Sequence, residues 1–198
     1  MKIGITGGIG TGKSFVCKRL QALYGVEVYD CDDAAKRLIA TSPVIFKKLT
    51  ALVGDEAYLP DAGDGRRRLN KKVVTRFLLA DEDNGNAINA IVHPEVFRDF
   101  TESGKTWMES AIMFESGINK LVDIVIAVTA PEETRIDRVM QRDGISRESV
   151  LQWMQRQWPQ QKVIEKSHYT ICNDGVTDID SQLRTIVSQI NANIQEQL

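Results

Sequence analysis

The sequence predicts an α/β fold in which helices cover both faces of a mainly parallel β-sheet. Short β-branched segments alternate with amphipathic ones along most of the chain, and the segments expected to form strands are MKIGIT, VEVYD, KTWMES, VDIVIAVTA and HYTICND. A glycine-rich turn joins the first of these strands to the first expected helix. Because ligands of such folds bind beyond the carboxyl ends of the strands, this turn marks the expected binding edge.

Apolar residues at helical spacing predict the elements between the strands. Val16, Leu20 and Leu23 predict a helix from Lys13 to Tyr24, and DDAAKRLIA predicts a second helix. Pro131 suits the start of the helix PEETRIDRVMQRD, and SRESVLQWMQRQ follows as another helix. Apolar side chains within positions 179–194 predict a long amphipathic helix near the C-terminus.

Three regions are expected along the chain. Residues 1–42, 104–130 and 165–198 are expected to form the core around the sheet. Residues 43–103 combine a polar, turn-rich stretch with two apolar helical faces, which predicts a mostly helical insertion. Residues 131–164 carry several arginines and are interpreted as a mobile lid.

The composition narrows the functional class. The chain has 198 residues, of which 42% are apolar, so it can bury a sizeable core. A net charge of −2 gives no reason to expect nucleic acid or a membrane as partner. Three separated cysteines and two histidines make no metal-ligand cluster. The sequence has no signal-like segment and no apolar run of membrane-spanning length, so the expected location is the cytoplasm.

Residues 7–14 match the pattern G-x-x-x-x-G-K-[ST] of a phosphate-binding loop. Glycines let successive N–H groups approach an anion, and the helix that follows adds its positive N-terminal end. Lys13 supplies a cation for the β- and γ-phosphates, and Ser14 supplies a hydroxyl that can ligate Mg²⁺. The alternative is a glycine turn that only lets strand and helix pack closely. The position of the motif between a predicted strand and a predicted helix favours nucleotide binding.

Two classes of phosphate-loop protein compete, regulatory GTPases and small-molecule kinases. A guanine-binding protein normally carries an NKxD motif and a DxxG motif. The segment NKLVD has Val122 where the aspartate should be, and no Asp-x-x-Gly occurs in the sequence. A kinase is therefore favoured. It needs a group that orients the acceptor hydroxyl, cations for the migrating phosphoryl group and an acceptor site.

Candidates for these three needs are present, each with a structural alternative. The aspartates of VYDCDD lie at the carboxyl end of the second predicted strand, which this topology places beside the phosphate loop. An aspartate at this position could accept a hydroxyl proton from the acceptor or could cap the next helix, and the spacing alone does not decide between the two. The arginines at 135, 138 and 142 share one helical face, which suits either triphosphate oxygens or ion pairs with neighbouring acidic residues. The insertion carries the basic stretch GRRRLNKK and His93. His93 is either a substrate contact or a structural residue, and the sequence alone favours the structural role.

These motifs together resemble the dephospho-coenzyme A kinase family along nearly the whole chain. The resemblance is carried by GITGGIGTGKS, VEVYDCDDAAKRL, HPEVF, AIMFES, RVMQRDGISRESV and CNDG, in that order and spacing. It implies transfer of the γ-phosphoryl group of ATP to the ribose 3′-hydroxyl of dephospho-CoA, giving coenzyme A in the last step of its synthesis. It also implies a fold similar to that of nucleoside monophosphate kinases, with a parallel five-stranded core, a helical acceptor-binding domain and a lid.

The resemblance also implies roles for individual residues. Asp32 matches the catalytic base, and Arg142 matches the lid arginine expected at the transferring phosphate. His93 falls on the His-Pro pair of the acceptor domain, and Arg67 is chosen from the basic stretch as an acceptor contact. Asn173 lies where the last-strand loop approaches adenine. The residues that match ATP-binding segments are Thr6, Gly8, Ile9, Gly10, Thr11, Gly12, Lys13, Ser14, Phe15, Arg138 and Asn173.

Three positions depart from the family's pattern. Phe15 stands in place of a small or hydroxyl residue, Ala111 in place of a proline and Val74 in place of a phenylalanine. Two alternatives stay open, another small-acceptor kinase such as a nucleoside monophosphate kinase and a nucleotide-binding regulator without catalysis. The expected cofactors are ATP and Mg²⁺, and the expected partner is dephospho-CoA as a small-molecule acceptor.

Overall fold

The computed structural model describes residues 1–60, 63 and 67–195 of the chain, except the side chain of Ile194. Gly65 and Arg66 of the predicted basic stretch GRRRLNKK therefore lie outside the described residues. The chain divides into two compact units. The first comprises Met1–Tyr29 and Lys105–Leu198, and the second comprises Asp30–Gly104.

The strands form a five-stranded parallel sheet with the order β2-β3-β1-β4-β5. β1 lies between β3 and β4, so that Ile3 pairs with Trp107 on one side and with Ile124 on the other. This order places β1, and the turn that follows it, at the centre of the sheet. In chain order the strands are β1 (Ile3–Thr6), β2 (Val28–Asp30), β3 (Trp107–Ser110), β4 (Ile124–Thr129) and β5 (Tyr169–Cys172).

The helices agree closely with those expected from apolar spacing. The first one has the predicted bounds, and the second begins one residue earlier than predicted. Short 3₁₀ turns occur at Asp55–Ala57 and Ile118–Leu121. In chain order the helices are α1 (Lys13–Tyr24), α2 (Cys31–Thr41), α3 (Pro43–Val53), α4 (Lys71–Ala80), α5 (Asn84–Glu102), α6 (Met113–Ser116), α7 (Glu132–Asp143), α8 (Arg147–Gln155), α9 (Gln160–Glu165) and α10 (Ile179–Gln195).

Helices lie on both faces of the sheet in the first unit. Ile3 and Ile5 of β1 belong to a buried core shared with α1 and α10. Gly4 points to the opposite face, where a Cβ would lie 2.6 Å from the terminal methyl carbon of Met113 in α6. The predicted three-layer α/β architecture is thereby confirmed. It holds β1 rigidly from both sides and so fixes the point at which the glycine-rich loop begins.

Side-chain caps mark the start of several helices, among them α2, α3 and α8. Asp30 caps α2, Ser42 caps α3 and Ser146 caps α8, and each accepts a hydrogen bond from the N–H group three residues later. A cap of this kind satisfies a backbone donor that the helix itself cannot pair. These capping side chains explain why α2, α3 and α8 begin directly after short polar segments of the sequence.

The second unit is built from α2, α3, α4 and α5. The core side of α5 is formed by Val92, Val96 and Phe100, all buried. Glu95, also buried, accepts hydrogen bonds from Ser42 at 3.3 Å and from Arg98 at 2.7 Å. These contacts satisfy the buried carboxylate of Glu95 and tie α5 to the start of α3. Among the described residues, no helix has the length and apolar character that spanning a membrane requires.

Candidate functional site

The glycine-rich loop follows β1 at the centre of the sheet and leads directly into α1. Gly10 and Gly12 have φ angles of 79° and 85°, in the left-handed region that favours glycine. A Cβ at Gly10 would lie 2.5 Å from the carbonyl oxygen of Arg135, and a Cβ at Gly12 would overlap the side-chain amide of Asn173. The backbone conformation and the close neighbours therefore both require glycine at these two positions.

The start of α1 is suited to an anion. Gly12 occupies the cap position, and no side chain caps the first N–H groups of the helix. Uncapped N–H groups and the helix dipole together favour negative charge at this end. Lys13, the first residue of the helix, is buried and adds a cation at the same place. The loop thus combines the charge and the donors that a phosphate group needs.

The Ser14 hydroxyl donates a hydrogen bond of 3.0 Å to Oε1 of Glu109. Glu109 lies in β3, the strand next to β1, and its side chain is buried. The sequence analysis identified Ser14 and overlooked Glu109. The available signal was the position of Glu109 near the carboxyl end of the predicted strand KTWMES, the edge at which ligands bind.

Asn173, at the end of β5, braces the loop from the other side. Its side-chain Nδ2 donates a hydrogen bond of 2.8 Å to the carbonyl oxygen of Thr11, and both residues are buried. The Thr11 hydroxyl in turn donates to the carbonyl oxygen of Gly8 at 2.9 Å. Asn173 therefore restrains the backbone of the loop, a role that follows from its geometry whatever it contacts in a bound ligand.

The arginines on the predicted common face of α7 have different partners. Arg138 donates to the carbonyl oxygens of Asn173 at 3.0 Å and Gly10 at 3.5 Å. Arg142 instead forms a two-bonded pair with the carboxylate of its neighbour Asp143, at 2.7 and 2.8 Å. Within the described residues no hydrogen bond joins Arg142 to the loop. This pair uses two of the five N–H donors of the guanidinium, so three remain that can contact another anion.

Arg135 lies deeper than the other two arginines. It is 7% exposed, and its Nε donates a hydrogen bond of 2.9 Å to the carbonyl oxygen of Ile9 in the loop. Burial lowers the pKa of the Arg135 guanidinium, and Glu132 opposes that effect. The sequence placed Arg135 on the basic face but did not identify it as a contact of the loop.

The segment between α8 and α9 also contacts the loop. Oε1 of Gln157 accepts a hydrogen bond of 2.8 Å from the Ile9 N–H group. The next residue, Trp158, donates its backbone N–H to Glu115 at 2.9 Å. The sequence analysis missed Gln157, because nothing in the glutamine-rich stretch around it distinguishes one glutamine from the others.

A cavity of about 790 Å³ opens beside the loop in the first unit. Its walls include Gly12, Phe15, Arg138 and Asn173, four of the residues that the sequence predicted to bind ATP. Arg19 of α1 and residues 175–180, from the loop after β5 and the start of α10, complete the lining. Phe15 presents a half-exposed ring to the cavity, so the departure at this position adds apolar surface. The predicted Thr6 is buried at the end of β1, between Ser110 and Ala127 of the neighbouring strands.

The second unit separates the roles of the three aspartates that sequence alone left undecided. Asp30 is the helix cap, since its carboxylate accepts the Asp33 N–H group at 2.9 Å. Asp33 pairs with Lys36 at 2.9 Å. Asp32 is exposed, and among the described residues its carboxylate makes no hydrogen bond or ion pair. The capping alternative is satisfied by Asp30, which leaves Asp32 available for chemistry.

His93 is half-buried in α5 and stacks on Phe97, with ring centroids 6.1 Å apart. Burial lowers the pKa of its imidazole, so the ring is neutral at neutral pH. Neither ring nitrogen has a hydrogen-bond partner among the described residues.

Arg67 packs its guanidinium 4.4 Å from the centroid of the Phe46 ring. Phe46 also contacts the ring of Tyr58, whose hydroxyl donates to the carbonyl oxygen of Ile39 at 3.0 Å. Burial raises the pKa of the Tyr58 hydroxyl, and the nearby Arg67 charge opposes that rise. Arg67 therefore has a packing role in the second unit. A role in acceptor binding would be additional to this packing role.

Comparison with known proteins gives one consistent result. A family model described as dephospho-CoA kinase matches residues 1–178. The dephospho-CoA kinase of Bacteroides fragilis is 36% identical over 195 residues, covering 95% of this chain and 92% of the relative. That of Porphyromonas gingivalis is 42% identical over 178 residues, covering 86% of this chain and 85% of the relative. The crystal structure of TT1252 from Thermus thermophilus aligns with a TM-score of 0.77 and 31% identity, covering 96% of this chain and 97% of its own.

Proposed function

The chain belongs to the dephospho-CoA kinase family, and from this premise we propose which of its residues carry out the ATP-dependent phosphorylation of dephospho-CoA. The reaction moves the γ-phosphoryl group of ATP to the ribose 3′-hydroxyl, as the bond from the γ-phosphorus to the β,γ-bridging oxygen breaks, and yields coenzyme A and ADP. The main support for the assignment is the family match over residues 1–178. This range includes the phosphate-binding loop and Asp32.

We propose that the loop and Lys13 bind the phosphates of ATP. The uncapped N–H groups at the start of α1 and the buried ammonium group support this role. The cavity lined by Phe15, Arg138 and Asn173 is large enough for a nucleoside and lies directly beside the loop. Arg142, which keeps three N–H donors while paired with Asp143, is the proposed partner of the transferring phosphoryl group.

The proposal includes Mg²⁺, held by Ser14 and Glu109 together with phosphate oxygens. The donor set fits this ion, because Mg²⁺ prefers oxygen ligands and is commonly bound by one or two protein groups plus the substrate's phosphates. When bound, Mg²⁺ neutralises charge on the phosphates.

Asp32 is the proposed catalytic base. Its carboxylate would accept the proton of the acceptor hydroxyl as the phosphoryl group arrives, leaving the oxygen free to form the new P–O bond. The support for this role is its match to the family pattern and the lack of a hydrogen bond or ion pair to its carboxylate among the described residues. His93 and Arg67 are proposed as contacts of the acceptor, with His93 the better supported because its ring nitrogens have no partner in the described residues.

An ADP-release assay with dephospho-CoA, AMP, CMP and shikimate as separate acceptors tests the proposed function. We expect turnover with dephospho-CoA alone, and no turnover in the Lys13→Ala variant. Lys18→Ala is a matched control, because Lys18 is exposed on the same helix. The assignment would be wrong if another acceptor were preferred or if ATP bound without any turnover. A cytoplasmic location and the absence of nucleic-acid and membrane partners remain predictions from the sequence.

A further inference from the structure

Ile9 stands between Gly8 and Gly10 at the tip of the phosphate-binding loop. Glycine on both sides leaves this peptide with more conformational freedom than any other residue type would allow. A loop that must be ordered when ATP arrives loses binding free energy to that ordering. Whatever holds Ile9 in the free protein therefore strengthens nucleotide binding.

Three separate contacts hold Ile9, and all come from residues 131–164. Its carbonyl oxygen accepts the bond from Arg135, and its N–H group donates to Gln157. Its side chain packs against a small buried cluster formed by α7 and α8, consisting of Ile136, Val139 and Val150. Residues 131–164, interpreted as a mobile lid, thus contact the backbone N–H group, the backbone carbonyl oxygen and the side chain of Ile9.

Of the residues that hold Ile9, Gln157 is the one whose side chain has no evident structural role other than this contact. Because the Ile9 N–H group is a donor, the atom that faces it must be the amide oxygen, which fixes the orientation of the side-chain amide. The same oxygen would lie 3.3 Å from a Cβ at Gly8, so its approach depends on glycine there. Gln157 belongs to none of the helices, and its side chain makes no second hydrogen bond among the described residues.

The backbone next to Gln157 is anchored independently. Trp158 donates its N–H group to Glu115, and its ring stacks nearly parallel to the Phe114 ring at 5.9 Å between centroids. The ammonium group of Lys162 lies 3.5 Å from the Trp158 ring centroid. These contacts set the starting point of the Gln157 side chain and leave it little freedom to move away from the loop.

We propose that Gln157 is a positioning residue for ATP binding, because its side-chain oxygen holds the Ile9 peptide and so preorganises the phosphate-binding loop. This inference rests on the proposed function, since it assumes that the loop binds ATP. It assigns Gln157 no contact with the acceptor. Loss of the amide oxygen weakens binding of ATP and leaves the affinity for dephospho-CoA unchanged.

Gln157→Met tests the proposal, because methionine keeps the length of the side chain and removes the acceptor oxygen. Gln155→Met is the matched control, two residues earlier and exposed. ATP affinity is measured by fluorescence titration without acceptor, KM for each substrate by ADP release, and exchange of the Ile9 amide proton by NMR. Thermal unfolding shows whether a variant is folded.

For Gln157→Met we expect a KM and a Kd for ATP raised roughly 3- to 10-fold, the range for loss of one hydrogen bond. The KM for dephospho-CoA stays unchanged, the Ile9 amide exchanges faster, and the amides of Phe15 and Val16 exchange as before. Unchanged or tighter ATP binding in the folded variant would overturn the proposal. If the wild type bound ATP but phosphorylated no dephospho-CoA, the proposed function would fail, while the Kd and exchange measurements would still decide the role of Gln157.

Discussion

The Ser14 hydroxyl and the Glu109 carboxylate are hydrogen-bonded at 3.0 Å, across the boundary between α1 and β3. Ser14 is the last residue of the phosphate-binding motif, and Glu109 comes from a strand 95 residues further along the chain. Because β3 lies directly beside β1 in the sheet, the two side chains meet at the edge where the loop begins. Both side chains carry oxygen atoms, the ligand type that Mg²⁺ prefers, and for this reason the pair is proposed to hold that ion.

Glu109→Gln is expected to weaken Mg²⁺ binding. Glutamine keeps the size of the side chain and removes its negative charge, and changes of this kind at a metal site typically cost about 10- to 100-fold in affinity or activity. The measurement is the Mg²⁺ concentration that gives half-maximal ADP release at saturating ATP. Glu27→Gln serves as control, since Glu27 is exposed and pairs with Lys105 at 3.3 Å, away from the loop in sequence. An identical Mg²⁺ dependence in the Glu109 variant would remove Glu109 from the proposed site.

Asp32→Asn is expected to cut kcat by roughly 10²- to 10⁴-fold, the usual range for a positioned base. Asparagine keeps the shape of the side chain and cannot accept the acceptor's proton. ATP binding should remain nearly intact, because Asp32 has no assigned contact with the nucleotide. Single-turnover kinetics measure the chemical step, and titration with ATP measures binding. Asp33→Asn is the control, and an unaltered kcat in the Asp32 variant would end its assignment as base.

Asn173→Ala is expected to destabilise the protein and raise the KM for ATP. The change leaves the buried carbonyl oxygen of Thr11 without its side-chain donor, and an unsatisfied buried group costs about 1–3 kcal/mol. Urea unfolding measures the loss of stability, and Asn191→Ala, an exposed change on α10, provides the comparison. Equal unfolding free energies in both variants would show that the bond contributes little.

His93→Gln is expected to reduce the acid sensitivity of the protein. Burial lowers the pKa of His93 in the folded chain below its ordinary value of 6.5, so the unfolded chain takes up the proton first as the pH falls. Stability is therefore lost as the pH falls through 6.5 toward the lowered pKa of the folded chain, and well above 6.5 the protonation of His93 has no effect on stability. The unfolding free energy is measured across that range for both proteins. The expectation fails if the wild type and the variant lose stability equally.

The sequence alone predicted the helices and strands, whose formation depends on residues close together in the chain. Helix α1 has the predicted bounds, because its apolar spacing and the preceding glycines act within one short segment. The parallel sheet followed from the same kind of local pattern. The phosphate-binding motif is contiguous as well, so its position and its expected anion needed no knowledge of the fold.

The tertiary structure decided the contacts that surround that motif. The partners of Ser14, Ile9 and Thr11 come from positions 95, 148 and 162 residues away in the chain. It also decided which aspartate caps α2, since the extended backbone at Asp30 turns that carboxylate onto the helix and leaves Asp32 exposed. The physical reason is the same in each case. Apolar periodicity and backbone preference are properties of a segment, whereas a hydrogen bond between distant segments depends on the order of strands in the sheet.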